Sequence, residues 1–297
     1  MAIITYIQGG LGNQMFQYAA GRALSVRYGV PLILEKSWFD STPKGSTPRE
    51  FQLPLFRLQA STQIKSNNRL PKGKLGRILQ KITPLKPHTI RESKGFQFDP
   101  RTLMLENNVN SDIHMIGYWQ SYKYINEIRP ILQEEFQTKV PLSNQYADYL
   151  EQIRLADSTM LHIRRGDYVH LPSANEYHKP LEIEYYLKAI DEMLLKNPTS
   201  HFFVFSDDLG WAKAMLPKTL NITYIENING PDAAAQELQL MTNCKNHIIA
   251  NSSLSWWGAW LKKDTSGMVF APNRWIRDKT LNLSDLLPKE WIQLQAE

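Results

Sequence analysis

The feature that most constrains this chain is the alternation of short apolar runs with amphipathic segments through its second half. Residues 159–164, 201–205, 222–225, 247–250 and 268–271 are each short, apolar and rich in β-branched or aromatic side chains. Between them, the spacing predicts helices over 181–195, from the Ser206-Asp207-Asp208 turn to 215, over 231–242 and over 252–261. Ile183, Leu187, Ile190 and Leu194 fall on one face of the first of these, and Pro231 suits a first helical position in the third. Parallel strands need a crossover, usually helical. Repeated strand–helix units therefore predict an α/β fold with a doubly wound parallel sheet. No repeat of solenoid length is visible.

The first half opens in the same way. A strand over 2–7 runs into Gln8-Gly9-Gly10-Leu11-Gly12-Asn13, then a helix over 14–28 carrying Phe16, Ala19, Ala20 and Ala23, with Gly29 as its stop. Glycines at such a turn let backbone N–H groups approach an anion at a helix N-terminus. The pattern does not complete G-x-G-x-x-G and lacks the Lys-Ser/Thr of a phosphate loop, so a tight turn needing positive φ is the competing reading. A second strand is expected over 30–34. The aromatic, proline-bearing stretch 35–58 reads as an irregular loop that stacks on a sugar or packs on the core. A strand over 113–116 leads into Gly117-Tyr118-Trp119-Gln120-Ser121, where carbohydrate contact and core packing are again the two readings. Helices are expected over 125–136 and 145–153, and a domain boundary near 150, giving units 1–150 and 151–297.

A chain of 297 residues is long enough for two such domains. Its net charge of +5 is uneven: residues 57–94 hold ten Lys/Arg against the single acid Glu92, so that segment carries +9 and the remainder −4. A block of this kind faces an anionic membrane or nucleic acid, or is a solvated face. Within it, an amphipathic piece is expected around Leu75, Ile78, Leu79 and Ile82, ended by Pro84 and Pro87. No apolar run is long enough to span a bilayer, and the first residues read as a strand and not a signal peptide. The single cysteine, Cys244, excludes an internal disulfide and fits a reducing compartment. Asn221, Asn251 and Asn282 open glycosylation triplets, but Asn251 lies in a candidate site, which favours a cytosolic location.

The chemistry concentrates at strand ends. His162-Ile163-Arg164-Arg165-Gly166-Asp167 closes an apolar strand with two guanidiniums, a glycine and a carboxylate. Ligands of open α/β sheets bind beyond the carboxyl ends of the strands, and arginine's fork matches phosphate oxygens. A diphosphate clamp and a local ion pair are the two readings. Asn251-Ser252-Ser253 stands where the strand over 247–250 meets a helix; these residues cap helices, and the same groups receive phosphate. Glu237 places a carboxylate in the apolar stripe of Ala234, Leu238 and Met241. Burial demands a partner: an arginine of the chain, or guanine, whose N1–H and 2-amino group form a two-donor edge. Asp207-Asp208 reads as a helix cap and not as a metal site.

Three of these stretches, taken with the glycine turn, resemble the bacterial α-1,2-fucosyltransferases of glycosyltransferase family 11. They are 9–18, 162–169, 205–208 and 251–258, with 117–121 also similar, in order along nearly the whole chain. The resemblance implies a GT-B type α/β fold: two Rossmann-like domains facing a cleft, the first on the acceptor side and the second binding donor. It implies GDP-L-fucose as donor, inversion at the sugar, no cofactor and no metal. It carries donor β-phosphate binding onto Arg164 and proximity to guanosine onto His162. It also favours the guanine reading of Glu237, with Ser253 as a phosphate binder. The lack of the membrane anchor of eukaryotic relatives implies a bacterial, cytoplasmic protein.

Together these give an expected donor site of Gly10, Gly12, Asn13, His162, Arg164, Arg165, Glu237, Asn251, Ser252 and Ser253. Trp119, Gln120 and Tyr168 are expected on the acceptor side. Arg164 is expected to stabilise departing GDP while the 2-OH of a galactoside attacks. The base is expected to be Asp167, with Glu176 and His170 as alternatives. The acceptor is expected to be a galactose-containing oligosaccharide or lipid-linked glycan, with the basic segment 57–95 offering contact with the inner membrane face. A fucosyltransferase of other linkage and a basic RNA- or glycan-binding module are the competing functions; the enzyme reading excludes nucleic acid as partner.

Overall fold

In the computed structural model, residues 1–41, 48–59, 63–65, 88–105, 111–166, 179–278 and 282–296 are described. The chain divides into two compact units, Met1–Phe136 and Gln137–Glu297. The boundary expected near 150 would cut a helix. That helix, Asn144–Leu155, belongs wholly to the second unit: Ser143 caps it through Tyr146 N, and Ser143 N donates to Gln236 Oε1 at 2.9 Å. Polar residues dominate its surface, so only these contacts far along the chain show which core it serves.

The first unit is built on a wholly parallel five-stranded sheet. Its strands are β1 (Ile3–Tyr6), β2 (Leu32–Glu35), β3 (Gln63–Lys65), β4 (Thr89–Arg91) and β5 (Ile113–Ile116), in spatial order β3-β2-β1-β5-β4. Helix α1 (Leu11–Tyr28) packs on β1 and β2 and buries most of its length. Short α-helices α2 (Ser37–Asp40) and α3 (Arg129–Glu135) also belong to this unit. Arg22 of α1 and Glu135 of α3 form a buried ion pair at 2.9 Å, and Tyr18 Oη donates to the same carboxylate at 2.6 Å. β3 and β4 lie within the basic segment, where no strand is expected from the sequence. The amphipathic piece around 75–82 lies outside the described residues.

The second unit is the alternation seen in the sequence. In chain order it runs α4 (Asn144–Leu155), β6 (Ser158–Ile163), α5 (Ile183–Lys196), β7 (His201–Ser206), α6 (Leu209–Met215), β8 (Ile222–Tyr224), α7 (Ala233–Met241), β9 (Asn246–Ile248), α8 (Ser253–Trp260), β10 (Val269–Pro272) and β11 (Ile292–Leu294). All pairings are parallel, in the order β8-β7-β6-β9-β10-β11. β6 is buried at every position, as strands covered on both faces must be. The apolar face of α5 is centred on Tyr185, Tyr186, Ala189, Ile190 and Met193, with Ile183 and Leu194 at its margins. The two tyrosines shift the stripe from the aliphatic one expected. In α8, Trp256, Trp257 and Trp260 are buried together; the rings of Trp256 and Trp260 stack 5.7 Å apart, and Trp256 Nε1 donates to Leu286 O at 2.9 Å. Such ring pairs contribute about 0.5–1.5 kcal/mol beyond their burial, which fixes where α8 begins relative to the sheet. β11 is the strand the sequence hides: it is only three residues long.

Candidate active site

A doubly wound sheet opens a crevice where the strand order reverses, outside the carboxyl ends of the two strands there. In the second unit those strands are β6 and β9. Their register pairs Leu161 with Ile248. Counting on from that pair brings Arg164 level with Asn251, at the two strand ends. The clamp residues and the Asn-Ser-Ser stretch are thus neighbours across one crevice.

Arg164 and Arg165 do different things there. Arg164 Nη1 pairs with Asp207 Oδ2 at 3.1 Å, and its charge is felt by both His162 and Glu237. Arg165 lies over the Trp211 ring of α6, 4.1 Å from its centroid, with Nε 3.6 Å from Asp208 Oδ2. It fastens β6 to α6, and the sequence reading of both guanidiniums as one clamp gains no support from this placement. The reason is elementary: successive residues at a strand end point to opposite sides. Asp207, at the end of β7, takes Arg165 N at 2.8 Å and Gly166 N at 3.0 Å, so it shapes the strand end as well as pairing Arg164. A Cβ at Gly166 would come within 2.8 Å of Asp207 Oδ2, which explains the glycine. Asp208 caps α6 through Trp211 N at 3.0 Å. Only Asp208 is therefore the cap that the sequence suggested; Asp207 is engaged by the end of β6 instead.

His162 is buried, and its Nδ1 has no hydrogen-bond partner. Burial, aided by the Arg164 charge, depresses its pKa to about 4, so the ring is neutral at pH 7. Glu237, on α7, has its pKa raised to about 7 by burial, with Arg164 and Tyr146 pulling down and Asp207 pushing up. Tyr146 Oη donates to Glu237 Oε1 at 3.5 Å. The carboxylate that sequence placed in an apolar stripe therefore borders the same cluster as Arg164. Across the crevice, Asn251 is buried and its Nδ2 donates to Lys179 O at 3.1 Å and Trp275 O at 3.0 Å. Ser252 is the N-cap of α8, its side chain makes no capping hydrogen bond, and the first turn of the helix carries no acid. The first N–H groups of a helix have no partner within it, and the positive end of the dipole favours an anion. A positive arginine, an uncapped helix start and a poised carboxylate make a site for an anion with a hydrogen-bonding appendage.

The first unit presents its own crevice between β1 and β5. Gly10 is the N-cap of α1, again with no side-chain cap and no acid in the first turn. Gly12 is buried, and Asn13 Oδ1 accepts from Gln120 Nε2 at 2.6 Å, joining the ends of the two strands. Gly10, Gly12, Asn13 and Gln120 thus form a second group within their own unit. Trp119 is fully buried with its ring edge-on to Tyr124 at 5.7 Å, a core position where no acceptor can stack. The exposed aromatic of this loop is its neighbour Tyr118. Sequence reasoning missed Glu92, whose carboxylate takes Tyr118 N at 2.7 Å and Trp119 N at 3.0 Å and holds Trp119 in a left-handed conformation, φ 57°. The available signal was its isolation as the sole acid of the basic segment. Asp167, Tyr168, His170 and Glu176 lie outside the described residues.

Two wholly parallel α/β units, the second with its arginine and uncapped helix at the strand reversal, are the architecture of a GT-B type glycosyltransferase. The profile of Glycosyl transferase family 11 matches residues 100–295. The chain is 31% identical over 300 residues to an alpha-1,2-colitosyltransferase of Escherichia coli, covering 99% of each. It is 34% identical over 306 residues to the O-antigen biosynthesis glycosyltransferase WbnK of Escherichia coli, covering 97% of this chain and 99% of that one. A solved structure of POFUT1 in complex with GDP is similar at 12% identity with a TM-score of 0.46, covering 88% of this chain and 94% of that one. The chain belongs to glycosyltransferase family 11. Among the described residues, no helix is long and apolar enough to cross a membrane.

Proposed function

We propose that this glycosyltransferase moves L-fucose from GDP-L-fucose to the 2-OH of a galactoside, with inversion, through a donor site on the second unit. The observation that carries the reading is Arg164 at the strand reversal, level with the start of α8. As the sugar–phosphate bond breaks, negative charge grows on the diphosphate. A preorganised guanidinium and the first N–H groups of α8 meet that charge where it develops. Glu237 is the group for the guanine edge: its carboxylate accepts the N1–H and 2-amino donors, and burial in the free protein leaves it short of partners. Neutral His162 borders the same nucleoside end. Asp207 positions Arg164. Arg165 holds the strand end through Trp211.

A second reading is favoured by the full-length likeness to an alpha-1,2-colitosyltransferase: the donor sugar is colitose, which lacks the 3-hydroxyl of fucose. One experiment separates them. The protein is incubated with lactose and either GDP-L-fucose or GDP-colitose, and the product linkage is read by NMR. Fucosylated product with an α-1,2 linkage is the expected result. Transfer from GDP-colitose alone selects the second reading, and a different linkage overturns the acceptor assignment.

A further inference from the structure

We propose that the second cation of the donor diphosphate site is Arg274, at the end of β10, and not Arg165. The inference rests on the donor reading above. β10 lies beside β9 on the side away from β6. The ends of the three strands therefore stand in a row: Arg164 after β6, the start of α8 after β9, Arg274 after β10. The chain at Arg274 is tied to this row, because the carbonyl of the next residue, Trp275, receives Asn251 Nδ2 at 3.0 Å.

Arg274 is half-buried, and its Nη2 is a buried nitrogen with no hydrogen-bond partner. Among the described residues its guanidinium forms no hydrogen bond or ion pair. Buried donors are almost always satisfied, so an exception calls for an absent partner. That partner must be an acceptor and is best an anion: the nearest helix start is positive and its first turn holds no acid. Arg165 Nε is likewise buried without a hydrogen bond, but its guanidinium lies flat on the Trp211 ring, 4.1 Å from the centroid, and pairs with Asp208 at 3.6 Å, so its charge is already answered where that of Arg274 is not. A diphosphate lying over the start of α8 is then flanked by Arg164 on one side and Arg274 on the other. Two forks and a set of amides can share its oxygens.

The test measures GDP and guanosine binding by calorimetry on the full chain, as wild type, Arg274→Met, Arg274→Lys and Arg165→Met. Losing one charge-assisted contact to the diphosphate lowers GDP affinity in Arg274→Met by roughly ten- to a hundredfold. Guanosine affinity and the nucleotide-free Tm stay at wild-type values, and Arg274→Lys recovers part of the GDP loss. Arg165→Met lowers Tm and leaves the ratio of GDP to guanosine affinity near that of wild type. If GDP and guanosine affinities fall together in Arg274→Met, or neither falls, the assignment of Arg274 is wrong. Should that variant not fold, the same ratio is read on Arg274→Lys, and an unchanged ratio overturns the assignment. A wild type that binds GDP no tighter than guanosine removes the donor site itself, and this inference with it.

Discussion

Glu237 offers the sharpest test of how the donor's base is recognised. Burial carries its pKa from the ordinary 4.5 to about 7. Only the ionised form offers two acceptors to guanine, so affinity should follow the ionised fraction, about nine-tenths at pH 8 and about a tenth at pH 6. The wild type should therefore bind guanosine roughly tenfold more weakly at pH 6 than at pH 8. Guanosine is the right ligand because it has no phosphate to titrate in this range, and His162, with a pKa of about 4, stays neutral throughout it. Glu237→Gln should lose roughly ten- to a hundredfold in affinity at pH 8, as for bonds to a charged acceptor, and should show no pH dependence from 6 to 8. Stability should move the other way. A carboxyl whose folded pKa is raised favours the fold while protonated, below about pH 4.5, and loses that support as pH rises through 7. At about 1.36 kcal/mol per pH unit, the rise from 4.5 to about 7 costs up to about 3 kcal/mol above pH 7. Nucleotide-free Glu237→Gln should then melt higher than wild type at pH 8 and alike at pH 4.5. Calorimetric titration and thermal melts read both effects. Guanosine affinity that is flat from pH 6 to 8 in the wild type refutes the reasoning.

Two further outcomes follow from the geometry. Arg164→Lys should lower kcat roughly a hundred- to a thousandfold, because a point charge cannot replace a fork aimed at the departing diphosphate; steady-state kinetics with GDP-L-fucose checks this, and near-normal turnover contradicts the role. Gly21→Ala should destabilise the first unit by about 1–3 kcal/mol, since a Cβ there would clash with Thr5 Oγ1 and press α1 off β1; denaturant melts that leave the midpoint unchanged would show that the contact relaxes freely.

What the sequence made legible follows from physical range. β6, β7, α5 and α7 announce themselves because strands buried on both faces are continuously apolar and their helices carry apolar stripes. Arg164 and the start of α8 were readable as site elements because a charged or polar run directly after such a strand has few structural uses. The separate duties of Arg164 and Arg165 were not, although strand alternation contains the hint; the deciding partner, Trp211, is over forty residues on. α4 was assigned across a boundary because its loyalty to the second unit rests on Gln236 and Glu237. Trp119 shows the limit of composition: an aromatic in a polar loop can be a sugar platform or core, and only the full burial of its ring, with Tyr118 N and Trp119 N donating to Glu92, marks it as core. Arg274 left no mark, since it is a lone charge two residues past β10 after Pro272 and Asn273, not part of a charged run, and only its buried nitrogen singles it out.

The most direct measurement of the central claim is a crystal structure with GDP bound. The account places the diphosphate at the start of α8, within hydrogen-bond distance of the Arg164 guanidinium, with the guanine edge on Glu237. Density for GDP elsewhere, away from the Arg164 guanidinium and with the start of α8 facing water, would contradict it.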